Sequence, residues 1–454
     1  MADWVARVLN FKRGELPLAL LSALLFFCVL CGYFFLRPVR EAMGVSRGMD
    51  SLRWLFAVTT LASLVLVLAF GGVISRLNRR RALPVAYLFV IVCLLGFSGL
   101  LIANVRAGGG LIGSATETGL ARNVGYTFYV WLSAINLFLN SLFWAFMVDI
   151  FNVDQGKRMF AFIGIGGTLG AIVGGWATAQ VSGMTESRYL PAGLMLTGAA
   201  FFGLAIVIIL LLDRMAVRSD HSRLGSQPAG EDPTTPPARD GEPRHDRVGG
   251  NFWDGLVQVV VSPYLLGIAG YIVFLAISNT LIYFTQANIV LDEADSFSQL
   301  IEGFAWFDML AQVATLFTQI FITTRIIRRL GVGWTLAILP LVTAVGFGVL
   351  ALWPIYGVMA IFQAIHRATR YAISRPSRET LFAVVPPAEK YKAKPVIDVF
   401  LYRGGDLAGM GIERVLSGLG SIGLLAGATV PFAAVWCGLS VVLGRAQKQR
   451  QSEP

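Results

Sequence analysis

The chain has 454 residues, of which 56% are hydrophobic and only 14% charged, where an average soluble domain carries about 25% charged residues. Its mean hydropathy is +0.67 and its formal net charge is +10. Long apolar runs recur from end to end, which excludes a soluble enzyme, a secreted disulfide scaffold and a disordered protein, and predicts an all-α, multi-pass membrane protein.

Apolar runs of about 20 residues predict twelve transmembrane helices. The first six cover about 16–41, 52–75, 82–104, 126–151, 159–182 and 189–213. The first run has no small-residue cleavage site followed by a polar chain, so it is read as a retained helix and not a signal peptide. Cys28 and Cys31 in that run form a C-x-x-C without a His or a second Cys pair nearby. Together with Cys93 and Cys437 they read as small apolar packing residues, with a zinc or redox role the lesser alternative. Residues 214–250 hold Pro228, Pro233, Pro236, Pro237 and Pro243 among mixed charges and predict a flexible cytoplasmic linker. The second six helices cover about 257–288, 301–323, 331–353, 355–383, 395–418 and 421–444. The organisation is thus an N-terminal half at 1–213, a linker at 214–250 and a C-terminal half at 251–454.

The halves echo each other. Arg76, Arg79 and Arg80 follow the second helix, and Arg325, Arg328 and Arg329 follow the eighth, both as R-x-x-R-R. Asp154, Lys157 and Arg158 precede helix five, while Glu389, Lys390, Lys392 and Lys394 precede helix eleven, and each group leads into a Gly-rich start. Internal symmetry of this kind marks a duplicated transporter. With both termini cytoplasmic, about 26 of the 37 Lys and Arg fall inside, and about five (Arg47, Arg53, Arg106, Arg122 and Arg188) fall outside. The basic excess therefore reads as loop charge, not as a nucleic-acid surface. Six plus six helices, a central linker and a basic loop after helix two resemble the major facilitator architecture.

A charge at the centre of a membrane helix costs about 2.5–3.5 kcal/mol on insertion scales, so such residues point to a cavity or a partner. They concentrate in helices one, ten and eleven. In helix one, Arg37 and Glu41 are spaced to pair, which leaves Arg40 to meet an anion, and Pro38 loosens the ladder between them. The alternative is that this cluster marks the outer water interface. Helix ten carries His366, Arg367 and Arg370 deep, and Arg375, Arg378 and Glu379 near its cytoplasmic mouth. His366 reads as a polar-network residue before a proton relay. Helix eleven carries Asp398, Arg403, Asp406 and Glu413, with Arg403 and Asp406 spaced to pair across Gly404 and Gly405. That arrangement suits a transport path or a salt bridge between the halves. In helix five, Gly164, Gly166, Gly167, Gly170 and Gly174 read as a tight packing face, not a dinucleotide fingerprint, because no strand precedes them. Helix seven offers Asn279, Thr280, Tyr283, Thr285, Gln286 and Asn288 as uncharged hydrogen-bonding groups. No P-loop, zinc motif or hydrolytic triad appears, so neither an enzyme nor a cofactor or metal is expected.

Several stretches resemble the ATP/ADP translocases of plastids and intracellular bacteria. They are Leu36-Arg37-Pro38-Val39-Arg40-Glu41, the run from Leu142 to Phe146, the loop from Val153 to Arg158, the block from Arg370 to Glu379, and Lys392 to Val399. The resemblance implies a nucleotide exchanger distantly similar to the major facilitators. It places Arg40 where that family has a functional Lys in helix one. Leu132 and Tyr283 fall where it has acidic residues in helices four and seven, and Asp406 where it has a Lys in helix eleven. Three of those four charges are therefore missing or reversed.

The expectation is an alternating-access carrier, a monomer in the bilayer of a bacterial inner (plasma) membrane, with both termini cytoplasmic. Its partner would be a small anion bearing phosphate, ATP or ADP among the candidates. The substrate site would draw on Arg37, Arg40, Glu41, Tyr283, Arg367, Arg370, Asp398, Arg403 and Asp406, since guanidinium forks suit phosphate. The alternatives are a proton-coupled carrier of another solute, titrating at Glu41, Asp398 or Asp406, and a membrane scaffold or sensor that does not transport.

Overall fold

In a bilayer every backbone N–H and C=O must be satisfied within its own segment, so long apolar runs fold as helices. The computed structural model describes residues 15–74, 79–110, 112–151, 153–224, 252–418 and 422–452. Six rods form the first half: α1 (Glu15–Val45), α2 (Met49–Ile74), α3 (Arg79–Arg106), α4 (Gly119–Ile150), α5 (Val153–Met184) and α6 (Leu190–Leu224). A short helix, Phe252–Val261, leads into the second half, which opens with α7 (Pro263–Glu293), α8 (Phe297–Phe321) and α9 (Thr323–Leu352). Next come α10 (356–381) and α11 (387–418), each built of several helical pieces, and last α12 (Ile422–Ser452). Among the described residues, nine helices are long and apolar enough to cross a membrane, the six of the first half and α7 to α9.

The predicted ends lie within about four residues of the observed ones for α1, α2, α3, α8 and α10, and the other rods differ by five to eleven residues at one end or both. The first eleven residues of the expected linker, 214–224, continue α6 as helix, and the rest of the linker lies outside the described residues. So do Arg76 and the side chains of Asp154, Lys157, Arg158 and Arg328. Side-chain caps set three starts. Thr118 accepts from the Ala121 N–H, Ser262 from Leu265 and Ser296 from Gln299. In α9 the helix breaks at Gly331, whose φ of 70° suits a residue without a Cβ. The basic turn at Arg325 and Arg329 is thereby set at an angle to the membrane rod that follows.

Because the rods alternate in direction, they have two ends: a terminal face, where α1 starts and α12 finishes, and an opposite face. In the first half, α1 is the central rod. A Cβ on Gly170 of α5 would collide with the Phe27 carbonyl, and one on Gly174 would sit 2.6 Å from the Cys31 carbonyl. Gly166, Gly167, Gly170 and Gly174 are thus a close-packing face, as their spacing predicts, whereas Gly164 faces open space. Cys28 and Cys31 are buried in the same seam. In the second half, Gly405 and Gly409 of α11 play this part, with their Cβ positions 2.7 Å from Ala276 and 2.9 Å from Thr280 of α7. Gly404 faces open space.

The two halves meet toward the opposite face. Arg53 of α2 holds Glu413 of α11 through two contacts of 2.8 and 2.9 Å and adds Ser417 at 2.9 Å. Gly175 of α5 packs against Met309 and Ala305 of α8, and Gly183 lies against Glu302. One hydrophobic core runs through the first half and into α7 and α8. A separate core lies around Tyr264, Tyr271 and Trp436.

Candidate functional site

The last two turns of α1 carry the site's first-half charges. A helix places residues three and four apart on one face, so Arg37, Arg40 and Glu41 project together. Arg40, however, takes Glu41 as its close partner, while Arg37 approaches Glu41 only to 3.9 Å. Arg37 turns instead to Asp308 in α8, at 2.7 Å. The expected Arg37–Glu41 pair is thus present but long, and the expected free Arg40 is corrected. The reason is the surroundings of Arg40. Ser133 of α4 accepts from it at 2.8 Å, and the Tyr129 ring lies 4.9 Å from its guanidinium carbon. Tyr283 of α7 then donates to Glu41 at 2.7 Å and shares a hydrogen bond of 2.9 Å with the Tyr129 hydroxyl. Glu41 is thus tied to both halves.

In α10 the backbone widens into a π turn over Thr369–Ser374, where the Arg375 N–H reaches back to the Arg370 carbonyl. Pro376 follows directly. Its ring clashes with the carbonyl four residues back, and widening relieves the clash. The two arginines at this turn take different partners. Arg367 donates to Asp308 at 2.7 Å, whereas Arg370 donates to the Tyr402 hydroxyl at 2.7 Å. The Arg370 guanidinium also lies 5.0 Å from the Tyr371 ring and 5.8 Å from that of Tyr402. Tyr371 is 38% exposed and within electrostatic reach of Arg370, Arg367, Arg37 and Arg375. The Arg370 guanidinium therefore covers one face of a partly exposed aromatic ring. His366 is buried against Phe362, with no hydrogen bond to its Nε2.

A second π turn, Val396–Leu401, precedes Tyr402 and Arg403 in α11. Arg403 and Asp406 pair at 3.0 Å, as their spacing predicts, and Thr280 of α7 donates to the other Asp406 oxygen at 3.3 Å. Asp398 lies elsewhere. It faces Arg378 at 3.6 Å, beside the Lys394–Glu379 pair near the terminal face. Of the predicted residues, Arg37, Arg40, Glu41, Tyr283 and Arg367 are thus linked from one partner to the next through Asp308, Arg403 and Asp406 form a separate pair, Arg370 bonds to Tyr402, and Asp398 stands apart.

Sequence reasoning missed Asp308, which is 3% exposed and joins Arg37 to Arg367. Its signal was there to read, because a lone acid between Phe307 and Met309 in an apolar helix is costly without a partner. Tyr129, Ser133 and Tyr371 were also missed, and nothing in their spacing marks them. Asp398 aside, the predicted residues and Asp308 together comprise five arginines (Arg37, Arg40, Arg367, Arg370 and Arg403) and three carboxylates (Glu41, Asp308 and Asp406), an excess of two positive charges. Among the described residues no carboxylate lies within ion-pair distance of Arg370.

Comparisons with known proteins bear on the family and the fold. The family model for the TLC ATP/ADP transporter matches residues 112–365. The ADP,ATP carrier protein 1 of Chlamydia trachomatis serovar D is 23% identical over 466 residues, covering 93% of this chain and 85% of that protein. Its namesake in Chlamydia muridarum is 22% identical with the same coverage. Among solved structures, the nucleoside transporter NupG aligns over 96% of this chain and 100% of its own, with a TM-score of 0.59 at 14% identity. A bacterial homologue of the iron transporter ferroportin, in an inward-facing state, aligns over 97% of this chain and 100% of its own, with a TM-score of 0.60 at 11% identity. At such identity the likeness shows the fold alone, a major-facilitator-like pair of helical bundles.

Proposed function

This chain belongs to the TLC ATP/ADP transporter family, and from that premise we propose that it exchanges a nucleotide, or a related phosphate-bearing anion, by alternating access. The observation that carries the reading is the arginine excess, drawn from both halves, with Arg370 free of any carboxylate partner among the described residues and set over the Tyr371 ring. A phosphate chain needs several guanidinium donors in a site shielded from water, and Arg supplies them in forked pairs. A nucleobase needs a flat apolar face, which Tyr371 supplies. Because Arg37 and Arg40 belong to one half and Arg367 and Arg370 to the other, a substrate held among them senses how the halves tilt. The family's missing charges are partly relocated in this reading. Glu41 supplies the carboxylate at Tyr283, and Arg403 supplies the cation one turn before Asp406. The distribution of Lys and Arg supports a terminal face turned toward the cytoplasm of a bacterial inner membrane, where the chain is proposed to work as a monomer.

Purified protein in liposomes loaded with ATP plus ADP tests the proposal by uptake of labelled ATP. Uptake is expected to need internal nucleotide and to survive collapse of the pH gradient. Losing charge-assisted hydrogen bonds of about 1.5–3 kcal/mol, Arg370→Gln should weaken nucleotide binding roughly 10- to 100-fold. Uptake that instead follows the pH gradient and ignores internal nucleotide would favour a proton-coupled carrier working through Glu41 or Asp406.

A further inference from the structure

Asp308 is a buried carboxylate with an uneven load. Its Oδ1 accepts from Arg37 of the first half and from Arg367 of the second, each at 2.7 Å. Its Oδ2 is buried and has no hydrogen-bond partner. One negative charge therefore serves two guanidinium groups through a single oxygen, while the other oxygen is left without a donor. A terminal phosphoryl group carries up to two negative charges and three acceptor oxygens. It can give each guanidinium its own oxygen, which this carboxylate does not do here. Both arginines keep some exposure, 20% for Arg37 and 15% for Arg367, so an incoming anion can reach them. The Arg37–Asp308 contact also crosses between the halves, on the side where they are closed.

We propose that Asp308 is a resident counter-anion, displaced from Arg37 and Arg367 by the substrate's phosphate, and that its release ties movement of the halves to a bound substrate. In the empty carrier, Asp308 holds Arg37 and keeps the opposite face shut. When phosphate takes the guanidiniums, the carboxylate lets go and the fixed tie between the halves is replaced by a mobile one. An empty carrier then stays still, and flux becomes exchange. The inference deepens the proposed function and rests on its phosphate-bearing substrate.

The test uses the full chain and two readouts. In detergent, pyrophosphate binding is measured by calorimetry for the wild type, Asp308→Asn and Asp308→Glu. In liposomes, efflux of loaded nucleotide is followed with and without external nucleotide. Asp308→Asn should bind pyrophosphate several-fold more tightly than the wild type and release nucleotide without any outside. Asp308→Glu should restore both wild-type behaviours, which a purely packing role would not predict for a longer side chain in a buried site. If Asp308→Asn does not fold, Asp308→Asn with Arg367→Gln keeps the buried charge balanced. That variant should bind pyrophosphate no more weakly than the wild type although a cation is gone. Unchanged or weaker pyrophosphate binding in Asp308→Asn, or weaker binding in the double variant, overturns the proposal. A wild type that fails to exchange nucleotide while Asp308→Asn still tightens pyrophosphate binding would sink the nucleotide reading and leave the counter-anion standing.

Discussion

Glu413→Gln is the sharpest perturbation of the seam between the halves. The Arg53 guanidinium meets both Glu413 oxygens, at 2.8 and 2.9 Å, and the side chains are 15% and 5% exposed. An exposed ion pair is worth about 0–1 kcal/mol, and removing one partner of a buried pair costs about 3–5 kcal/mol. This pair lies between those limits. Asp50, 91% exposed and 2.8 Å from Arg53, remains to hold the guanidinium. A loss of about 2 kcal/mol follows, which shifts the balance between closed and open seams about 30-fold. Ser182 of α5 reports on the seam, since it is 2% exposed beside Gly183, which faces Glu302. With the four native cysteines replaced and Ser182→Cys introduced, the rate of reaction with an impermeant maleimide follows the open fraction. The Glu413→Gln variant should raise that rate by one to two orders of magnitude, and nucleotide added at saturation should narrow the gap. A rate within twofold of the parent would refute the assignment of this pair as a fastening between the halves.

Two further outcomes follow from the packing and the hydrogen bonds. Gly170→Val places a side chain where the α1 backbone lies, so overpacking of about 1–3 kcal/mol should lower the thermal unfolding midpoint in detergent. Gly164→Ala, with nothing within 4 Å of its Cβ position, should leave that midpoint in place. Tyr283→Phe removes the hydroxyl that donates to Glu41 and bonds to Tyr129. Bonds to charged groups contribute about 1.5–3 kcal/mol, so the variant should unfold at lower denaturant and lose nucleotide affinity. An unchanged denaturation midpoint would show that Glu41 is satisfied without it.

The sequence by itself determined the rods and the chemistry available. Apolar run length sets where a helix crosses a bilayer, and that depends only on neighbours along the chain. The Arg403–Asp406 pair was legible for the same reason, because three residues along a helix is a local distance. The helix-five glycines were legible as a packing face, although not which rod they meet. Tertiary structure decided the partners. Arg53 and Glu413 are 360 positions apart, and Arg367 and Asp308 are 59 apart, on rods whose faces the sequence leaves unassigned. Helical periodicity states which side chains share a face. It does not state which face of which neighbour they meet, and that choice set Arg40 on Glu41 and Arg37 on Asp308. The π turn in α10 adds a second limit, since helical periodicity along the sequence does not show where a turn widens. A buried charge finds its counterion in three dimensions, and only the assembled bundle contains it.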